Sequence, residues 1–272
     1  MSNNLSNKPH GRVVIRIGRH HLSFTTVADT EPQVNYEPYV MKSGVSVAAN
    51  LREALKAAGY GRMGMNKALA MVDVPVLLTP VELFEETTMG DMYSHSFPRQ
   101  EQEQVFYNVL PDLNAVAVFA LNKDLKTVLD DNFSDLRLMV ALTPVWRYLH
   151  KRSFTGARNK LYGYFHDQKL DIISFRQNRF KFYNQFETNR AHDALYFLLY
   201  VWKQLLLDAE HDELHLIGSV AADEQQWLIE QLHTYLQNVY EINAQADFGD
   251  MPVAGTQELP FDLRVLLAKG RV

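Results

Sequence analysis

The strongest constraint on the fold is an order of elements that occurs twice along the chain. Between Arg158 and Val220, three short strand-like segments joined by polar turns precede a long apolar helix and a further strand. The same order can be traced from Val13 to Asp73. Strands are distinguished from helices by apolar residues at every second position rather than at every third or fourth. We therefore predict a duplicated α/β fold.

Local signals in the first copy agree with this order. Pro38 lies inside the third strand-like segment and indicates an edge strand, because proline cannot donate a ladder hydrogen bond. Ser46 is placed to cap the helix that follows, and Gly59 to end it. The next segment, KALAMVDVPVLLTP at 67–80, reads as strand, with Pro75 and Pro80 as punctuation.

Domain boundaries follow from changes of pattern along the chain. The basic, glycine-containing segment KRSFTGARNK at 151–160 is the best candidate for a junction. We expect a mobile tail at 1–11, a first domain at 12–152 with an inserted subdomain around 74–121, and a second domain at 153–272.

Aromatic residues are dense between Phe154 and Trp202, where basic residues are interleaved with them. This pattern is compatible with a sheet that stacks nucleic-acid bases. Packing of the rings in a core is favoured, because they fall on alternate strand positions. The helix from about Asn189 to Asp208 is apolar over much of its circumference, which predicts burial between layers.

Composition excludes several functions. A net charge of -5 gives no basic field for nucleic acid, and the absence of cysteine excludes disulfides, thiol catalysis and thiolate-bound zinc. The N-terminus is polar, unlike a signal peptide. The longest apolar run, Ala194 to Trp202, is far shorter than the ~20 residues of a spanning helix. We expect a soluble, cytoplasmic protein without a transmembrane segment.

A meander of three strands, a helix and a strand parallel to the first resembles the ribonuclease H-like fold, and two copies resemble the actin-like ATPases. The patterns RVVIRIGRHHLSF, LTPVEL, and LYGYF to LHLIGS resemble a family of Bacteroidetes proteins of unknown function that has this fold, distantly similar to pilus-assembly and cell-division actin relatives. The resemblance implies two mixed sheets with helices on their faces.

The resemblance also implies positions for a nucleotide site. In actin-like ATPases the first strand of each copy carries Asp-x-Gly, whose turn amides hold phosphate while the aspartate orients magnesium. Here Arg16 stands in place of the aspartate and only Gly18 is kept, which argues against magnesium-dependent catalysis. The candidate cofactor-binding residues in the cleft between the domains are Arg16, Gly18, Arg19, His20, His166, Asp167, Gly218 and Ser219.

Other sequence patterns give weaker evidence for a metal or catalytic site. His211 and His215 are four residues apart beside carboxylates, but their segment passes from a helix into a strand, where such residues are ~13 Å apart. A solvated turn is favoured over a metal site. No P-loop, nucleophile elbow or G-x-G-x-x-G occurs, and the strand VVIRI lacks the carboxylates of a ribonuclease H nuclease. We predict no catalytic residue and no metal site.

Two functional hypotheses remain. The first is a non-catalytic actin-like scaffold that binds another protein without a cofactor, through the Val74 to Leu121 region by resemblance to pilus-assembly relatives. The second is a nucleotide-dependent enzyme or switch that binds ATP at a metal-poor site, where Arg16, Arg19 and His20 contact phosphate directly.

Overall fold

The computed structural model describes residues 11–27, 34–59, 65–98, 101–176, 179–220, 223–249, 251, 253 and 259–268. The strands, in chain order, are β1 (Val13–Ile17), β2 (His21–Val27), β3 (Val34–Val40), β4 (Lys67–Val72), β5 (Val76–Pro80), β6 (Glu103–Leu110), β7 (Ala115–Asn122), β8 (Asp135–Val140), β9 (Lys160–His166), β10 (Lys169–Arg176), β11 (Arg179–Glu187), β12 (Glu213–Ile217) and β13 (Val239–Glu241). The helices are α1 (Val47–Ala58), α2 (Met89–Ser96), α3 (Lys123–Asn132), α4 (Thr143–Ser153), α5 (Ala191–Gln204), α6 (Gln225–Tyr235), α7 (Ala244–Phe248) and α8 (Phe261–Ala268).

Two five-stranded sheets share one topology. Their strand orders are β3-β2-β1-β4-β8 and β11-β10-β9-β12-β13. In both, the first three strands form an antiparallel meander, and the central strand then pairs in parallel with the strand that follows the helix. The duplicated ribonuclease H-like fold is therefore confirmed, with mixed sheets as predicted.

The chain divides into two compact units. The first takes its residues from 1–109, 116–144 and 250–272, and the second from 110–115 and 145–249. The C-terminal helix α8 thus belongs to the same unit as β1. The domain boundaries expected from the sequence stay predictions. Part of the expected tail, residues 1–10, lies outside the described residues, as do residues 60–64 and 177–178.

Several local predictions in the first unit are confirmed. Pro38 lies on β3, an edge strand of its sheet. The Ser46 side chain accepts a hydrogen bond of 3.2 Å from the amide of Ala49 and caps α1. Gly59 ends that helix in the left-handed conformation, with φ of 70°.

The segment at 67–80 is strand as predicted, and it is interrupted at Pro75, one of the two prolines named as punctuation. The segment forms β4 and β5, which belong to different sheets, since β5 pairs with β7 in a third sheet of order β5-β7-β6. A three-residue connection from Asp73 to Pro75 separates them. Alternation of side chains continues across so short a break, so the pattern alone does not reveal the change of sheet.

The prediction that α5 is buried between layers was wrong. Its inner face packs against the second sheet and α6 through Ala194, Leu198 and Val201. The outer face exposes Tyr196 by 62% and Tyr200 by 49%, and their rings stack 5.9 Å apart. Tyrosine counts as apolar in a periodicity pattern, yet its hydroxyl tolerates water.

Tyr235 of α6 is likewise 59% exposed, whereas Leu228 and Leu232 of the same helix are buried. The denser aromatic residues of β9 and β10 do pack in the core, with Tyr162 and Phe175 almost fully buried. Among the described residues, no helix has the length and apolar character needed to cross a membrane.

Candidate functional site

The turn between β1 and β2 in the first unit contains four of the predicted site residues. The amide of Gly18 donates a hydrogen bond of 2.7 Å to the carbonyl of His21, which closes the turn. Arg19 and His20 are exposed at its tip, whereas Arg16 lies buried on β1. Of these four residues, Arg19 and His20 are therefore exposed to solvent, whereas Arg16 and Gly18 are buried.

Arg16 forms a buried ion pair with the C-terminal helix. Its Nε donates to Oδ2 of Asp262 at 2.8 Å, and the two side chains are only 4% and 1% exposed. The other carboxylate oxygen of Asp262 accepts a 2.7 Å hydrogen bond from the amide of Leu263. The positive charge at the position of the expected aspartate is thus compensated from within the same unit.

A second carboxylate lies close to this turn. Asp73 follows β4, is 7% exposed, and its amide donates to the carbonyl of Ile17 at 2.8 Å. A methyl group built on Gly18 would lie 3.7 Å from Asp73 Oδ2 and 3.9 Å from Arg16 Nη1. Sequence reasoning missed Asp73, although its place directly after the fourth strand was a usable signal. It also missed Asp262, which lies 246 residues from Arg16.

The corresponding turn of the second unit joins β9 to β10. Asp167 and Gln168 have φ of 46° and 61°, and His166 pairs with Lys169 across the hairpin. Positive φ at both central residues is typical of the two-residue type I′ turn, which matches the twist of the strands. Hairpin geometry accounts for this turn without reference to phosphate.

His166 belongs to a buried polar network on one face of the second sheet. Its Nε2 contacts the carboxylate of Asp171, which is 3% exposed. The other carboxylate oxygen of Asp171 accepts hydrogen bonds from Tyr183 Oη at 2.8 Å and from Gln185 Nε2 at 3.1 Å. The His166 ring also stacks on Tyr164 at 4.6 Å. These contacts fix the orientation of the imidazole.

Gly218, the glycine kept after β12, is required by the backbone. Its φ is 75°, and a methyl group added there would lie 2.5 Å from the carbonyl oxygen of Phe165. Ser219 beside it is exposed. Because the fold itself demands glycine at this position, Gly218 is no evidence for a nucleotide.

Further titratable groups lie on the same sheet face. His215 of β12 stacks between Tyr162 at 5.3 Å and Tyr240 at 5.2 Å, and its Nε2 lies 2.9 Å from Glu213. Burial lowers the pKa of His215, partly offset by Glu213. Burial also lowers the pKa of Lys160 and raises that of Tyr162.

The His211 and His215 pair does not form a site. His211 lies in an exposed turn, where Nδ1 is 3.2 Å from Asp208, whereas His215 is held by Glu213 in β12. The solvated-turn interpretation is confirmed for His211. His215 is instead a partly buried strand residue.

Replacement of the expected aspartate by Arg16 removes one oxygen ligand for magnesium from the first-unit turn, although the Asp73 carboxylate lies beside it. Hard divalent cations are held by oxygen ligands, above all carboxylates. At the expected aspartate position the chain presents the Arg16 guanidinium, which repels a cation, and the nearby Asp262 carboxylate is already paired with it. The turn amide of Gly18 is likewise engaged by His21.

The sheet topology and these turns define the class: a protein with the actin-like ATPase fold in which the expected aspartate of the first strand is replaced. A model of the family described as "Protein of unknown function (DUF3822)" matches residues 2–239, and the chain belongs to this family.

Solved structures give the same class. A Bacteroides thetaiotaomicron protein with actin-like ATPase fold and unknown function is 26% identical, with a TM-score of 0.78 over 89% of this chain and 94% of that one. The PilM-PilN type IV pilus biogenesis complex is similar at 14% identity and a TM-score of 0.51, over 88% and 90% of the two chains. A comparison with curated proteins finds no match.

Proposed function

We propose that this protein is a cytoplasmic actin-like module that binds another protein and does not turn over ATP. The buried Arg16–Asp262 ion pair carries the proposal. Freeing Arg16 for a phosphate, or Asp262 for a metal, would leave a buried charge without its partner. Such a change costs about 3–5 kcal/mol, which few ligands would recover in full.

A protein partner is supported by one of the structural neighbours. PilM is present in its solved structure together with PilN. At 14% identity the likeness extends to the fold alone, so the partner of this chain is a separate protein to be found by experiment.

We place the partner surface in the Val74 to Leu121 region. This region contains the three-stranded sheet, whose outer strands β5 and β6 each have one unpaired edge within it. Tyr93 and Val118 lie in its own small core. Leu83 is 68% exposed and Val109 52% exposed, which leaves apolar side chains available for contact.

A nucleotide-dependent switch is the second candidate, because one observation favours it. A methyl group on Gly18 would meet only ordinary contacts of 3.6 Å or more, so sterics do not explain the glycine. Close approach of a phosphate to the turn would explain it. Arg19 and His20, both exposed, are then the contacting groups, and Arg19→Ala should weaken nucleotide binding at least tenfold.

The test combines turnover with partner capture. Phosphate release from ATP with magnesium should stay at the rate of a protein-free blank. Cross-linking in cells of the source organism should recover one specific protein, and Leu83→Ser should reduce its yield while Val40→Ser, a change at an exposed valine of β3, should not. ATP turnover that Arg19→Ala abolishes, without a captured partner, would overturn the proposal.

A further inference from the structure

The end of α5 has an unusual residue at its terminating position. The amide of Leu207 donates to the carbonyl of Trp202 at 3.2 Å, and that of Leu206 to Lys203 at 3.1 Å. This pair of bonds is the Schellman motif, in which the residue directly after the C-cap is left-handed and is usually glycine. Here that residue is Leu206, with φ of 53°.

Folding alone does not explain a leucine at this place. A left-handed conformation is unfavourable for a residue with a bulky side chain. The side chain gains no burial in return, since Leu206 is 90% exposed. Glycine would serve the fold better on both counts, so the leucine side chain points to a contact with another molecule.

A small depression of about 40 Å³, open to solvent, lies beside this residue. Its apolar wall is formed by Leu205, Leu206 and Leu207 at the end of α5. Its polar wall comes from β10 and β11 and the residue before β9, and is lined by Asn159, Ser174, Arg176 and Lys181. The hydroxyl of Ser174 is buried and donates to the carbonyl of Lys160 at 3.1 Å.

Both charged side chains that line the pocket, Arg176 and Lys181, are positive. Arg176 and Lys181 are exposed, as is Lys203 on the last turn of α5. Within the described part of the chain, none of these three forms an ion pair. The turn after α5 carries acids of its own: Asp208 accepts from the amides of Glu210 and His211, Asp212 accepts from the amide of Asn159, and both lie outside the pocket lining.

We propose that this surface binds an acidic segment of a partner protein. An aliphatic side chain of the segment packs against Leu206 at the pocket mouth, and its carboxylates pair with Arg176 and Lys181. Charge complementarity favours an acidic partner, and a single projecting leucine favours a peptide over a lipid surface. The inference rests on the proposed protein-binding function and adds, on the second unit, a contact surface separate from the Val74 to Leu121 region.

The experiment uses the full chain with isotope-labelled leucine methyl groups. The probes are the peptide Glu-Glu-Leu-Leu-Glu-Glu, the matched peptide Lys-Lys-Leu-Leu-Lys-Lys, and vesicles of anionic phospholipid. We expect the Leu206 methyl signals to shift on titration with the acidic peptide. The dissociation constant from this titration should be at least tenfold lower than that for the basic peptide. The double change Arg176→Glu with Lys181→Glu should reverse that preference.

Leu206→Gly separates a binding role from a structural one. It should raise the melting temperature by about 2 °C, because glycine relieves the left-handed strain, and it should weaken binding of the acidic peptide at least fivefold. Val40→Gly, at another 90% exposed residue, is the control and should leave binding unchanged.

Three results would overturn the inference: equal binding of both peptides, a methyl shift with vesicles alone, or a lower melting temperature for Leu206→Gly. Each leaves the proposed function in place with a different surface. ATP turnover would contradict the proposed function without altering the peptide result, so the two failures are distinguishable.

Discussion

Gly18 follows β1 and Gly218 follows β12, yet the backbone needs only one of these two glycines. A side chain at Gly218 would meet the Phe165 carbonyl at 2.5 Å in a left-handed conformation, whereas one at Gly18 would have 3.6 Å or more. We expect Gly218→Ala to reduce the free energy of unfolding by at least about 2 kcal/mol and Gly18→Ala to change it by less than about 1 kcal/mol. Urea unfolding measures both, and equal losses would contradict the steric account.

The Arg16–Asp262 pair makes a second prediction. Asp262→Asn keeps the size of the side chain but leaves the buried guanidinium without a counter-charge, so stability should fall by about 3–5 kcal/mol. The control is Asp135→Asn, which affects the Arg12–Asp135 pair, where the carboxylate is 45% exposed. Its effect should be much smaller, since water replaces the lost contact.

The double variant Arg16→Met with Asp262→Leu tests the same pair from the other side. Replacing both charges with apolar residues should restore most of the stability lost in Asp262→Asn. If Asp262→Asn alone is as stable as the Asp135→Asn control, the Arg16–Asp262 ion pair is unimportant to the stability of the fold.

His215 predicts a dependence of stability on pH. Burial lowers its pKa in the folded state, so the unfolded chain binds the proton more readily. The contribution of neutral His215 to folding stability is complete above a pH of about 6.5, the pKa of histidine in the unfolded chain. It is lost as the pH falls below that value and through the lower pKa of the folded state. His215→Phe, which keeps the stack between Tyr162 and Tyr240, should flatten the decrease of melting temperature over that window. An unchanged pH profile would contradict this assignment.

At the scale of elements, the side chain of Asn108 completes an edge strand. It donates to the carbonyl of Leu138 at 3.1 Å and accepts from the amide of Val140 at 3.0 Å, so one amide joins β6 to β8. Asn108→Ala should cost about 1–3 kcal/mol, because two backbone groups lose their partner. Hydrogen exchange should accelerate at Val140.

The matched control is Asn35→Ala, which removes an exposed hydrogen bond to Glu37 and should change little. Unaltered protection of the Val140 amide in Asn108→Ala would indicate that another group holds β8.

The elements also show which predictions a sequence supports. Pro38, Ser46 and Gly59 were assigned correctly because each acts through its own backbone or the next few residues. The change of sheet after Asp73 was not predicted, since a strand that changes sheets keeps its alternation. Tyr196 was placed in a core on its ring alone, although its hydroxyl allows exposure.

The candidate site was predictable only in part. The replacement of the expected aspartate by Arg16 was readable, because the turn position is local. Its neutralisation by Asp262 was not, since the contact joins residues at opposite ends of the chain. Likewise, the requirement for Gly218 depends on the carbonyl of Phe165, which a pattern of neighbouring residues does not reveal.

At the scale of the whole molecule, one topology serves in both units, but the turns within it differ. The first unit has a buried ion pair at the position where the resemblance expects a magnesium ligand. The second has a type I′ hairpin and a buried network around Asp171. Folding requirements explain most of these residues, which is why the duplicated fold does not by itself imply ATP turnover.

The most direct test of the central claim is a thermal-shift titration of the full chain with ATP, ADP and GTP, with and without magnesium. A ligand that binds only the folded protein adds about 2.7 kcal/mol of stability at a hundredfold excess over Kd. We expect no shift of the melting temperature with any nucleotide. A magnesium-dependent rise with ATP would contradict that claim.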